Sequence, residues 1–417
     1  MASALGALAG LRLGGENGDH KGTWDAACRA LRGNVRELEA YRKPLLWEGS
    51  TYQGVWQECG PHEALVYYSL RDHMPPEDSA ATEAVARNNH LAFFALQRPD
   101  GQLPSSIKTF GLGFGQIQMV VPIAATAWEL AQASGDHSFL EQAYAACARW
   151  DAWLRKYRDT RKTGLVEGFC TFDTGMDNSS RWAGMPNRCP DSDARKCPDV
   201  SSLPRLCPDL SATVYGARLA LAAMAKALGK RDEAAKWEGD AEHIRQLIID
   251  KLYCAEDAAF YDLDAQDQFV RVRSVAIHRV LGEHVLKLES ARDNGIFDNV
   301  WKRQIHNPEA FWTPYPFPSV AFDDPKVVRP IPRNSWGGAT QALTALRAPR
   351  WMSHYGKDRE LKELMGKWCA AIVQAQAFRQ QMDPQSGVFT LPDPGGYSPC
   401  ALVFLDFSRR LGTHQKA

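Results

Sequence analysis

Two carboxylates, a guanidinium and an indole stand close together in Phe172-Asp173-Thr174-Gly175-Met176-Asp177-Asn178-Ser179-Ser180-Arg181-Trp182. Asp173 and Asp177 are four residues apart. In that pattern one acid can donate a proton, Arg181 can partner a charge, and Trp182 can stack on a ring. The run follows a long amphipathic stretch and Gly164, which places it on a loop, where catalytic groups concentrate. The same residues also describe an Asx turn with Asp177 capping a helix. Spacing leaves both readings open.

Two further segments have site-like chemistry. Ala310 to Phe317 interleaves Phe311, Trp312, Tyr315 and Phe317 with prolines. It is too rich in proline for helix, and it either lines a pocket or pins a loop. Asn334-Ser335-Trp336-Gly337-Gly338 precedes a helix; its glycines admit a ligand near backbone amides, or the run is a plain cap. Other chemistries find no support. Gly111 to Gly115 lacks the strand and lysine of a phosphate loop. No serine or cysteine sits in an elbow with a base partner. The 11 histidines show no metal spacing, and Cys189, Cys197 and Cys207, each followed by proline, are spaced by eight and ten residues, which fits no zinc pattern. A disulfide in that loop stays open and would need an oxidising compartment. The remaining cysteines read as small buried apolar residues.

Helical periodicity must position these loops. Clear amphipathic stretches run at Ser79–Leu96, Val120–Ser134, His137–Tyr157, Ser211–Leu228, Arg231–Leu252, Val275–Leu288, Thr340–Tyr355, Arg359–Gln376 and Ser398–Leu411. Weaker ones lie at Thr23–Leu38, Pro61–Leu70 and Ala291–Ile305. Strand-like runs are few. Short turns such as Ser134-Gly135-Asp136 alternate with long aromatic and proline-rich connectors. Helix hairpins with their long loops on one side predict an all-α (α/α)6 toroid, against a solenoid or a generic bundle. No fixed-period repeat is visible, which disfavours the solenoid. No low-complexity linker divides the chain, so a single domain is expected over residues 23–417 behind an N-terminal extension, 1–22.

Composition narrows the ligand. Lysine and arginine total 49 against 49 acids, so no global field draws nucleic acid or an anionic membrane. No window of ~18 apolar residues exists for a membrane span. Met1 to Gly15 is small and apolar without a basic start; no signal peptide is evident, and a cytoplasmic location is favoured. Thirteen tryptophans suit either a flat neutral ligand such as a sugar or a helical core.

Gly175 to Trp182 resembles the Gly-x-Asp-Asn-Ser-Pro-Arg-Trp loop of the inverting (α/α)6 glycosidases. That clan includes processing α-glucosidase I, the mannosylglycerate and glucosylglycerate hydrolases and, more distantly, trehalase. Other segments resemble it in order: Tyr52 to Trp56 its aromatic approach to the first site loop, Pro208 to Ser211 a helix start, Tyr215 to Tyr261 its fourth hairpin, Pro318 to Pro325 its Pro-Ser-x-x-x-Asp-Asp-Pro stretch, and Asp383 to Gly387 its final Asn/Asp-Pro-x-Thr-Gly loop. The likeness spans residues 50–411. It implies a toroid that binds a small carbohydrate-like α-glycoside at its mouth, with Asp177 as general acid and Gln118 as a sugar contact. Trp56, Glu58, Asp173, Arg181, Trp182, Trp312 and Trp336 would complete the substrate site. The chemistry implied requires no metal and no organic cofactor.

The departures from that pattern fall on the acid's partners. Ser180 replaces the loop's proline, Asp173-Thr174 its Glu-Ser, Glu58-Cys59 its Trp-Asp, and Trp336-Gly337-Gly338-Ala339 its Trp-Arg-Gly-Pro. The family's base, a glutamate three residues before the last Asn/Asp, reads Gln380. An amide can orient water but cannot take its proton. Several readings remain open: another carboxylate (Glu58, Glu63 or Glu309) acts as base; the site runs one-acid chemistry such as elimination, isomerisation or cyclisation beneath its tryptophans; Gln380 is an amide substituted for a glutamate; or the protein binds sugar without turnover.

Overall fold

The computed structural model describes residues 17–331, 334–391 and 396–413. Most of the N-terminal extension expected over 1–22 lies outside them, and a helix already runs from Asn17.

Twelve α-helices are described: α1 (Asn17–Asn34), α2 (Gly60–Ser69), α3 (Pro76–Ala95), α4 (Ile123–Ser134), α5 (His137–Tyr157), α6 (Pro208–Ala227), α7 (Arg231–Leu247), α8 (Ala276–Gly282), α9 (Ala291–Val300), α10 (Ala342–Met352), α11 (Asp358–Ala375) and α12 (Ser398–Leu411). The even-numbered helices touch in sequence, and α12 returns to α2, so they close a ring; the odd-numbered helices form the outer layer. This is the (α/α)6 toroid. Composition sorts the layers. α6 is apolar nearly all round and buried along its length, as an inner helix must be. Its partner α7 buries only Ala234, Ala241, Ile244 and Arg245.

Short turns reverse the chain inside a hairpin. Gly135, at φ 69°, ends α4 in the left-handed conformation, and the Asp136 side chain accepts from the Phe139 amide to start α5. Where a glycine and an asparagine interrupt periodicity, two expected helices shorten. α1 stops at Asn34, and Val35–Leu38 pairs as a strand with Tyr41–Leu46. α8 stops at Gly282 rather than Leu288, and His284 follows with φ 56°.

The connectors hold more sheet than the sequence pattern predicts. Gly54–Trp56 pairs with Ser106–Lys108, which pairs with Gly111–Gly113; Thr340–Gln341 pairs with Gln381–Met382. Strands this short cannot display an alternation. They tie separate loops together at the end of the ring where every inner helix begins.

Candidate active site

At that end lies a cavity with about 330 Å³ of empty space, lined by Glu48, Tyr52, Trp56, Glu58, Gln118, Gly175, Asp177, Asn334, Trp336, Leu343 and Gln380. All but Leu343 come from segments that lead into an inner helix: Glu48 to Glu58 into α2, Gln118 into α4, Gly175 and Asp177 into α6, Asn334 and Trp336 into α10, and Gln380 into α12.

Side chains cross the cavity in one chain of hydrogen bonds. The Tyr52 hydroxyl donates to Gln380 Oε1 at 2.8 Å, Gln380 Nε2 donates to Asn334 Oδ1 at 2.8 Å, and Asn334 Nδ2 donates to Asp177 Oδ2 at 3.0 Å. Asn178 Nδ2 holds the Asn334 carbonyl at 2.8 Å, and the Trp336 amide donates to the Asp177 carbonyl at 2.9 Å. The Asp177 loop and the loop before α10 are thus one unit. Gln118, Gly175, Asn178 and Asn334 all adopt positive φ (45°, 61°, 58° and 47°). At the three non-glycine positions, Gln118, Asn178 and Asn334, left-handed backbone is the kind of strain that persists at functional sites.

Glu58 lies against the acid's loop. A Cβ on Gly175 would stand 1.8 Å from Glu58 Oε2, and Glu58 Oε2 has no hydrogen-bond partner among the described residues. Gln118 Nε2 is 3.4 Å from Glu58 Oε1. Below the cavity, Arg347 donates to the Glu58 carbonyl and Arg279 stacks over Trp336.

Burial governs the proton affinities. It pushes the Asp177 carboxyl up to about 6, against the pull of the Asn334 amide and the Arg188 charge. Burial carries Glu58 up to about 7; Arg347 and Arg279 oppose it, and Asp177 adds to it. Glu48 is held well above the usual carboxylate range by burial and then by the Glu63 charge, with the Tyr397 hydroxyl acting the other way.

The cavity collects six of the ten expected site residues: Asp177, Gln380, Trp56, Glu58, Gln118 and Trp336. The other four do not line it, because their functional atoms are spent on folding. Asp173 accepts from the Ile117, Phe169 and Cys170 amides and pairs with buried Arg158, and so anchors the chain beside Gln118. Arg181 is clamped between Asp209 and Asp262. Trp182 is buried with its Nε1 on Thr174 Oγ1 at 2.9 Å. Trp312 packs against Phe317 and His306, so the aromatic Ala310–Phe317 segment supplies no lining residue. Of the alternative bases, Glu309 is exposed and Glu63 is buried outside the lining. Glu48 was not anticipated. Its signal is an acid directly after Leu45-Leu46-Trp47, all buried, where a charged side chain is rarely placed without a purpose.

Two buried clusters combine thiols and carboxylates, Cys170–Asp173–Cys189 and Cys207–Asp209–Asp262. Each already contains a guanidinium, Arg158 in the first and Arg181 in the second, and that positive charge opposes a cation. Cys189, Cys197 and Cys207 are thiols; Cys189 faces Cys170 with 3.9 Å between sulfurs.

The profile of the mannosylglycerate hydrolase MGH1-like glycoside hydrolase domain matches residues 80–394. No curated protein sequence matches the chain. A GH63 mannosylglycerate hydrolase from Thermus thermophilus, solved in complex with glucose, is similar in fold at 18% identity and a TM-score of 0.69, covering 93% of this chain and 100% of its own. The same enzyme with Tris and D-glycerate gives 18% identity and a TM-score of 0.67, over 93% and 100%. The neutral trehalase of Saccharomyces cerevisiae matches at 12% identity and a TM-score of 0.62, over 89% of this chain and 76% of its own. Among the described residues no helix is long and apolar enough to cross a membrane.

Proposed function

The chain belongs to the mannosylglycerate hydrolase MGH1-like glycoside hydrolase family, and from that membership we propose that it cleaves a small α-linked glucoside or mannoside with inversion. Asp177 is the general acid that protonates the departing glycosidic oxygen. One observation carries this reading: Asp177 is a half-buried carboxyl on a cavity wall, pushed up to about 6, so about half keeps its proton at pH 6 and about a tenth at pH 7. A carboxyl raised toward the working pH is what leaving-group protonation needs. Trp56 and Trp336 offer apolar walls to a sugar ring. Glu58 and Gln118 offer acceptors and donors to its hydroxyls, with Glu58 Oε2 unpartnered and waiting for one. The relatives solved with glucose and with D-glycerate direct the choice of substrates to test.

A second reading, acid catalysis without hydrolysis, is favoured by Gln380, an amide bonded at both ends where the family carries its base. Mannosylglycerate, glucosylglycerate, trehalose and aryl α-glycosides, followed by proton NMR, separate the two. Release of a free sugar that first appears as the β-anomer supports inverting hydrolysis. Consumption of substrate without a free sugar would replace it with the second reading.

A further inference from the structure

We propose that Glu48 is the base that takes the proton from the attacking water, in the role that Gln380 cannot fill; this rests on the glycosidase reading of the cavity. Among the described residues, three carboxylates line the cavity: Asp177, Glu58 and Glu48. Inversion requires the base on the face of the sugar opposite the acid. Glu58 fails that condition. It lies against Gly175, two residues before Asp177, so tightly that a methyl group there would collide with its carboxylate.

Glu48 belongs to the other wall. Its Oε1 accepts from the Tyr397 hydroxyl at 2.7 Å, and its carbonyl accepts from the Ser398 amide at 2.8 Å. The Tyr397 amide donates in turn to the Phe378 carbonyl at 3.1 Å, two residues before Gln380. Tyr52, which bonds Gln380, packs on the Tyr397 ring with centroids 5.9 Å apart. Glu48, Tyr52, Tyr397 and Gln380 thus make one side of the cavity, and Asn334 spans from it to Asp177 on the other. Tyr397 fixes one oxygen of Glu48, and a carboxylate has a second with which to take a proton. Gln380, with both ends of its amide engaged, is a positioning residue.

The step balances. The water oxygen bonds to the anomeric carbon as the bond from that carbon to the aglycone oxygen breaks. Glu48 takes the water's proton, and Asp177 gives its own to the leaving oxygen. Both carboxyls return to their starting states by exchange with solvent. Burial and the Glu63 charge raise the proton affinity of Glu48, so the ionised form that accepts the water's proton gains population as the pH rises.

The test uses the full chain and an α-glycosyl fluoride of the sugar that the wild type releases. Glu48→Gln keeps an acceptor for Tyr397 and is expected to lower kcat by about 10²–10⁴ with an unchanged near-UV CD spectrum. Glu48→Ala with sodium azide is expected to recover fluoride release and to yield the β-glycosyl azide, a product that a merely structural role would not give. Glu58→Ala is expected to raise KM and form no azide adduct. Activity of Glu48→Gln within about threefold of wild type, or azide rescue in Glu58→Ala instead, would overturn the assignment and leave the glycosidase reading intact. Absence of hydrolysis by the wild type on the whole panel would remove both.

Discussion

Replacing Asp177 with asparagine should cost activity and add stability, and pH tells the two effects apart. Burial raises this carboxyl from 3.8 to about 6. The native state therefore binds the proton more tightly than the unfolded chain does, and stability is lost between those two values as the pH rises. At about 1.4 kcal/mol per pH unit, ionising Asp177 in the folded protein costs about 3 kcal/mol at pH 8 and roughly half of that at pH 5. Asparagine removes that cost while its side-chain oxygen still accepts from Asn334. With an unfolding entropy of roughly 2.1 cal/mol/K per residue, the gain at pH 8 corresponds to a Tm rise of about 3 °C, close to half of it remaining at pH 5. Turnover should fall by about 10²–10⁴, the contribution of one positioned acid. In the wild type, kcat/KM should fall at both ends of the pH range, because Asp177 must carry its proton while Glu48 has given up its own. Calorimetry at the two pH values and initial rates on the substrate identified by the panel check all of this. An Asp177→Asn protein with undiminished turnover, or one whose Tm gain is the same at pH 5 and pH 8, would refute the reasoning.

Gly175→Ala places a methyl group against Glu58 Oε2 in a backbone at φ 61°; it should lose about 1–3 kcal/mol by denaturant titration and nearly all turnover, because the acid loop must shift. Arg181→Met strands the buried carboxylate of Asp262, leaves Asp209 with Arg279 as its remaining ion-pair partner among the described residues, and should cost about 3–5 kcal/mol in the same titration. Trp312→Ala should cost about 3–5 kcal/mol of stability and leave KM within about twofold, since Trp312 packs outside the cavity; a large rise in KM would return that indole to the binding site.

Much of the ring was legible because periodicity is a local property. His137–Tyr157, with its aspartate cap and the preceding glycine, carries its own start signal and periodic apolar face, and it folds as read. The short strands carried no such signal, since Thr340–Gln341 is defined only by its distant partner Gln381–Met382. The Asp177 loop stood out through residue types that resemble a known motif, yet its own sequence could not separate side chains that face the cavity from side chains that hold the loop. Asp173, Arg181 and Trp182 have the chemistry of a site and are consumed by Arg158, by Asp209 with Asp262, and by Thr174.

The amino-acid sequence by itself therefore determined the helical hairpins, the family resemblance, an aspartate at residue 177 and a glutamine at residue 380, where that resemblance implies a base. Each of these is written in neighbouring residues or in a local period. The tertiary structure alone decided which carboxylates share the cavity and on which wall each stands. It set Glu48 beside Tyr397 across a separation of 349 residues and lowered Glu58 onto Gly175. Ring closure brings loops from five hairpins to one mouth, and only there do burial and neighbouring charge set proton affinities that no residue carries alone.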